Sequence, residues 1–438
     1  MSPPIVVVLT LAGVIVGTVL AWWSGGPPNR PLEPATPTRA LTLSLVVLVA
    51  AGSIILAAGG ATGGPLLAAI AMAAAGAGSI LGAWAWGRMA PIPSGTNDSP
   101  VRWWVVWLAA IAGLVALGSI VARAGIPLLS LDPQASRPAF GGLVFDAFRW
   151  LVPPAALVVL GWALAARTAK RLATAALVVG AVSVLEVLLA SRALPFELLL
   201  AGLLMAWWSG WRPRPRTWLL LTGLAVVLFF GVLLARMGPE ASFRDVPDFL
   251  EFAWNRSVGR IVLIQPQTID VAVEAIPSDE PFWAGATYVR RLSPLLGIPD
   301  DHPPLGVWLY ERLFPGTEPA FAAPGILAEA WVNAGVPLAL GLMLLLGLAT
   351  QGCGRLLGRL GASPVDRAAA ALITVAFVRT YATSLNGFLL TVAVTAAWWA
   401  AARPGSVTLV RRALRRPPNP EPRTTAQASA RPGQTTPR

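Results

Sequence analysis

The chain has 438 residues, of which 55% are hydrophobic and only 12% charged, with a formal charge of +12. Soluble domains carry about 25% charged residues, so this balance excludes an ordinary soluble protein. The basic excess recurs between apolar runs and in the C-terminal tail, which is the bias of a membrane protein's cytoplasmic side and not the footprint of nucleic-acid binding.

Apolar runs of about 18–23 residues match the ~30 Å hydrocarbon core of a bilayer. They recur at 4–23, 41–58, 65–86, 103–121, 146–166, 172–190, 194–209, 218–236, 324–349, 368–384 and 386–402, predicting an all-α polytopic membrane protein of about 11 transmembrane helices. Four regions follow: helices 1–8 in 1–238, one large polar loop in 239–322, three further helices in 323–402, and a basic tail in 403–438. Arg30 and Arg39, Arg88 and Arg102, Arg167 with Lys170 and Arg171, the Arg212–Arg216 run, and Arg355, Arg359 and Arg367 fall in alternate loops. Cytoplasmic loops collect Lys and Arg, so the N-terminus is placed outside, the C-terminus inside, and the large loop outside. The Pro-, Arg- and Thr-rich tail lacks apolar periodicity and reads as disordered on the anionic inner leaflet.

The first span lacks a basic leader and a cleavage site, so it reads as a retained helix. Helices 1 to 3 carry no charge in their apolar cores, and the small residues Ala73 to Gly78 permit close helix approach in lipid. Trp22, Trp23, Trp84, Trp86, Trp103 and Trp104 sit at span ends, where indoles favour the interface. The outer loop after helix 4 holds Gly125-Ile-Pro-Leu-Leu-Ser130, Asp132 and Arg137; that arginine either guides an anionic head group or is a solvated loop charge. Asp146 and Arg149 lie three apart at the start of helix 5 and can pair. An isolated charge at bilayer centre costs about 2.5–3.5 kcal/mol, so Glu186, Glu197 and Arg379 must line a polar cavity or pair between helices. Arg192 occupies the turn between helices 6 and 7.

The polar loop concentrates chemistry. It holds twelve of the 21 acidic residues, six arginines and the chain's one histidine, His302. Residues 247–264 have helical spacing, with Arg256 and Arg260 four apart on one face, as in a surface helix that presents two guanidiniums to a phosphate or simply exposes them to water. Phe282-Trp-Ala-Gly-Ala-Thr-Tyr288, then Arg290 and Arg291, then the Trp308, Tyr310 and Phe314 set follow; such aromatics suit either sugar stacking or the lipid interface. Asp300-Asp301-His302 is either a divalent-cation site or a solvated turn. The phosphate-cradling glycine loop and the dinucleotide fingerprint are both missing from the sequence. One histidine without nearby cysteines makes no zinc set, and the lone Cys353 leaves the loop without a disulfide.

The order of these features resembles the Wzy-type oligosaccharide repeat-unit polymerases, relatives of the O-antigen ligases, over roughly residues 120–395. The resemblance rests on Gly125 to Leu128 followed by Arg137, Arg192, Asn255-Arg256, Gly285 to Tyr288 with Arg290 and Arg291, and Ala323-Pro-Gly-Ile-Leu-Ala-Glu329 with Asn333 and Gly335. Where relatives often carry a lysine after the loop prolines, this chain has His302. The resemblance implies a GT-C-like membrane fold in the bacterial plasma membrane and a cofactor-free, metal-independent, inverting glycosyltransferase acting at its outer face. The substrate would be an undecaprenyl-pyrophosphate-linked oligosaccharide, with room for a chain-length regulator as partner. Arg290, Arg291, Arg260, Arg256, Arg137, Arg192 and Arg379 would contact pyrophosphate or substrate, and Glu329 and His302 are the candidate bases. A polysaccharide ligase has nearly the same architecture, and a lipid-linked oligosaccharide flippase is the alternative from another class.

Overall fold

A computed structural model describes residues 2–24, 36–86, 100–129, 143–189, 193–211, 246–253, 260–290, 302–316, 322–359 and 363–404, with the single positions 216, 223 and 231. Among the described residues every regular element is a helix. Those of eight residues or more are α1 (Pro3–Ser24), α2 (Pro37–Ala58), α3 (Gly63–Trp86), α4 (Trp103–Ala124), α5 (Leu143–Ala166), α6 (Ala169–Leu188), α7 (Ala193–Trp208), α8 (Val246–Ala253), α9 (Arg260–Ala275), α10 (Leu305–Leu313), α11 (Gly325–Arg359), α12 (Pro364–Val378) and α13 (Leu385–Ala402). Eight of the described segments are long and apolar enough to cross a membrane, which makes this an α-helical polytopic membrane protein. The expected span at 194–209 appears as α7, which has the same length of 16 residues and is shorter than those eight, and the one at 218–236 lies outside the described residues apart from Gly223 and Gly231.

Local chemistry sets the helix ends. Thr36, Thr168, Ser363 and Ser384 each accept a backbone N–H of the first turn through the side-chain oxygen. At α12 the cap is reciprocal, Asp366 reaching back to Ser363 N, and Pro364 fills the first position, where a missing N–H costs nothing. Arg355 and Arg359, expected in a loop, are carried by the last turns of α11.

In lipid the apolar effect gives helices little reason to associate, so small residues that let backbones touch decide the pairing. α3 has such a seam on two sides. Gly76 abuts Gly17 of α1, while Gly78 and Gly82 abut Leu344 and Gln351 of α11. Among the described residues the two largest apolar cores lie one under α1–α3, α9, α10 and α11, the other among α4–α7, α12 and α13. α12 joins them, giving Ala376 and Phe377 to the first and Val365 and Ala369 to the second.

Two parts of the structure depart from the sequence expectation. The first is the surface helix over 247–264. Two helices stand there, and the second, α9, is wedged between α2 and α3, with Gln265, Thr268, Ile269 and Ala272 buried. The wedge fits because Gly52 leaves room for the Val262 carbonyl and for Pro266, and Asp270 accepts the Gly64 N–H at 2.9 Å.

The second is the span expected at 324–349. α11 breaks at Ala334 (φ −158°, ψ 22°) and Gly335 (φ 64°, ψ −148°). Ile326 and Leu327 line the same cavity as Met343 and Leu346. A straight helix would hold Ile326 and Met343 about 25 Å apart at 1.5 Å per residue. α11 therefore folds back as a helical hairpin, a short arm at 325–333 against a long arm from 336. Gly335 is required at the corner, since a positive φ strains any residue with a β-carbon.

Candidate functional site, a charged layer at one end of the bundle

Successive helices run in opposite directions, so residues early in α5 and α7, late in α6 and just after α12 gather at one end. Arg149, Glu197, Glu186 and Arg379 occupy those positions. Arg379 Nη1 donates to Glu197 Oε2 at 2.6 Å, and Arg149 Nη2 lies 3.7 Å from the same oxygen. The i, i+3 pair expected between Asp146 and Arg149 is not the one formed; Arg149 turns across to α7. Arg379, expected inside a helix at 368–384, follows the end of α12 and opens a 3-10 turn, Arg379–Ala382. Beside these groups is a recess of about 600 Å³, part of it open to the outside, lined by Arg149, Glu186, Glu197, Arg379, Thr391 and Thr395. Glu186 is 1% exposed, and no hydrogen-bond donor among the described residues reaches its Oε2.

Next to the recess lies a hydrogen-bonded layer that ties the polar loop to the helices. Glu329, buried in the short arm of α11, accepts the Leu385 N–H at 2.6 Å through Oε2 and so caps α13. Asn333, one turn on, donates from Nδ2 to Thr287 Oγ1 (2.6 Å) and to the Glu329 carbonyl (2.7 Å). Asn386 donates to the Tyr288 carbonyl at 2.7 Å. The backbones of Trp283 and Ala284 donate to Val332 and Asn333, whose carbonyls the break at Gly335 leaves without helical partners. Burial raises the Tyr288 phenol above its ordinary range, with the nearby Glu329 charge acting in the same direction, so the ring keeps its proton.

The loop segment above this layer is folded on tryptophan. The His302 imidazole stacks on Trp283 at 4.6 Å between centroids with the planes 12° apart, and Trp308 meets Trp283 edge-on at 5.5 Å. Arg290 Nη1 donates to the His302 carbonyl at 3.2 Å. Glu280 accepts from Trp308 Nε1 (3.0 Å) and pairs with Arg312 (2.6 Å), which lies over the Trp308 ring. Burial pushes the Glu280 carboxyl up, but the hydrogen bonds from Trp308 and Arg312 and the Arg312 charge outweigh it and hold the group below the usual carboxylate range. Trp283 and Trp308 are 3% and 5% exposed, so these two form the loop's core and offer no face to a sugar; Phe282 and Phe314 remain exposed.

Of the sequence-predicted site residues, Glu329, Arg379, Arg290 and His302 meet in this region. The α13 N-terminus that Glu329 caps follows the turn bearing Arg379, and Arg290 follows the Thr287–Tyr288 segment held by Asn333 and Asn386. Arg260 heads α9, and its side chain, like the whole of Arg137, Arg192, Arg256 and Arg291, lies outside the described residues, as do Asp300 and Asp301. Asn386 and the Arg149–Glu197 contact were not anticipated; the signal for the latter was the rarity of intramembrane charge. Among the described residues no cluster of His, Cys, Asp and Glu could hold a metal ion. No family model, curated protein or solved structure matches the chain.

Proposed function

We propose that this protein joins oligosaccharide repeat units, carried on undecaprenyl pyrophosphate, into a surface polysaccharide at the outer face of a bacterial plasma membrane. The observation that supports this reading is the gathering of Arg290, His302, Glu329 and Arg379, distant in sequence, at one end of the helical bundle. In the reaction the sugar–phosphate bond breaks with inversion as the acceptor hydroxyl attacks. The departing pyrophosphate needs cations, and arginines match its oxygens bidentately without a metal. His302 takes the acceptor proton on this reading. Glu329 is a positioning residue, since its Oε2 is committed to the N-terminus of α13 and thereby fixes the turn bearing Arg379. Eleven spans, an outer N-terminus and an inner C-terminus belong to the same proposal. Its support is the opposite end of the bundle, where Arg39, Arg102, Arg167, Arg367 and Arg403 gather, as cytoplasmic ends do.

The test is the size profile of lipid-linked and surface glycans after gene deletion, with rescue by wild type, Arg290→Ala and His302→Gln. Single repeat units without a ladder are expected from the deletion and from both variants. Full-length polymer stranded on the carrier would replace the proposal with a ligase. The recess with charged walls among α5–α7, α12 and α13 favours one second reading, a lipid-linked oligosaccharide flippase, for which the deletion would trap units on the inner leaflet.

A further inference from the structure

Two guanidiniums on different helices converge on one oxygen of Glu197, the geometry with which arginines usually receive an oxyanion. The three side chains are 26% (Arg149), 25% (Arg379) and 18% (Glu197) exposed, so the cluster can be reached from outside. The adjoining recess, part of it open to the outside, contains a second carboxylate, Glu186, whose Oε2 has no donor among the described residues. The charged groups facing Glu197 around the recess are Arg149 from α5, Glu186 from α6 and Arg379 from the turn after α12, while α13 presents Thr391 and Thr395.

We propose that Glu197 is an internal stand-in for a phosphate or diphosphate group, occupying a seat formed by Arg149 and Arg379 that the ligand enters by displacing it. This rests on the reading of the substrate as a phosphate-bearing lipid, and adds to it a place for the anion and a gate. Displacement has a chemical consequence. Once both arginines turn to the ligand, Glu197 is left beside the buried Glu186 without its counter-ions, so binding breaks two ion pairs and changes the surroundings of the Glu197 carboxylate.

The test uses full-length protein in phosphatidylcholine nanodiscs, with inorganic pyrophosphate as probe in one arm and a polyprenyl pyrophosphate in the bilayer in the other. Wild type should show a shifted carboxylate stretching band in the infrared difference spectrum on adding either probe, which itself carries no carboxyl group. Glu197→Gln should lose that shift and bind pyrophosphate about fivefold more tightly, the scale of removing one partly exposed competing charge. Arg149→Ala and Arg379→Ala should lose binding. Response to the lipid probe alone would identify the source as a lipid headgroup, and response to both a seat for pyrophosphate itself; each supports the proposal. Unchanged or weaker binding by Glu197→Gln would overturn it. So would a wild-type carboxylate band left unchanged by both probes, a measurement that needs no folded variant. A flippase or ligase phenotype in the host would remove the polymerase reading and leave this seat standing, so the two fail separately.

Discussion

Gly347→Ala is the sharpest perturbation of the scaffold that carries the site. Gly347 lies on the long arm of α11 where it crosses α3. A β-carbon there would overlap the Ala75 carbonyl oxygen and stand 2.9 Å from both the Ala75 carbonyl carbon and Ser79 N. All three atoms are backbone, so no side chain can swing aside and the helices must part. Overpacking of this kind costs about 1–3 kcal/mol. Parting the helices also weakens the bond from Ser79 Oγ to the Gly347 carbonyl, now 3.4 Å, and such interhelical bonds contribute about 0.6 kcal/mol. Alanine's better helix propensity returns about 0.5–1 kcal/mol. The net expectation is a loss of about 1–3 kcal/mol, or roughly 5- to 150-fold in the folded population. Gly118→Ala on α4 is the control, since nothing lies within 4 Å of a β-carbon there and only the propensity gain applies. Heating full-length fluorescent fusions in detergent and following the monodisperse peak by gel filtration reads both variants. Equal midpoints for the two would refute the reasoning that backbone contact, not composition, pairs α3 with α11.

The remaining predictions probe the site layer. Gly335→Ala places a β-carbon at φ 64°, 2.9 Å from the Phe282 ring, and should cost about 1–3 kcal/mol by the same heating assay; a wild-type midpoint would mean the hairpin corner is wrongly placed. Asn333→Ala removes the donors to Thr287 and to the Glu329 carbonyl, and should cost about 1–3 kcal/mol and speed proteolytic cleavage between 286 and 302; an unchanged cleavage rate would detach the loop from α11. Glu280 has a depressed carboxyl, so its contribution to loop stability is present above the ordinary glutamate value of about 4.3 and is lost as pH falls through the lower folded value. Acid-induced proteolysis of the loop should therefore be less steep in Glu280→Gln than in wild type, by a modest margin because the side chain is 35% exposed. Identical pH profiles would show that the Arg312 and Trp308 contacts carry no linkage.

The membrane class of this protein was legible from residues alone, because hydrocarbon thickness imposes a length on every spanning helix and that length is written directly in the apolar runs. The helix starts at Ser363 and Ser384 rest on local hydrogen-bond chemistry, which the apolar runs at 368–384 and 386–402 did not locate. Arg379 was singled out because charge is rare inside a span, and Arg290, His302 and Glu329 through the polar loop and the family resemblance. Their meeting was not legible. It depends on α9 inserting between α2 and α3 and on α11 turning back at Gly335, and both depend on contacts between residues hundreds of positions apart, such as Gly64 with Asp270 and Gly82 with Gln351. The partner of Arg149 shows the same division. Sequence spacing offered Asp146, three residues away on one helix. Only the packing of α5 against α7 and α12 brought Glu197 and Arg379 to it, because a charge in a membrane pairs with whatever the folded helices place within reach.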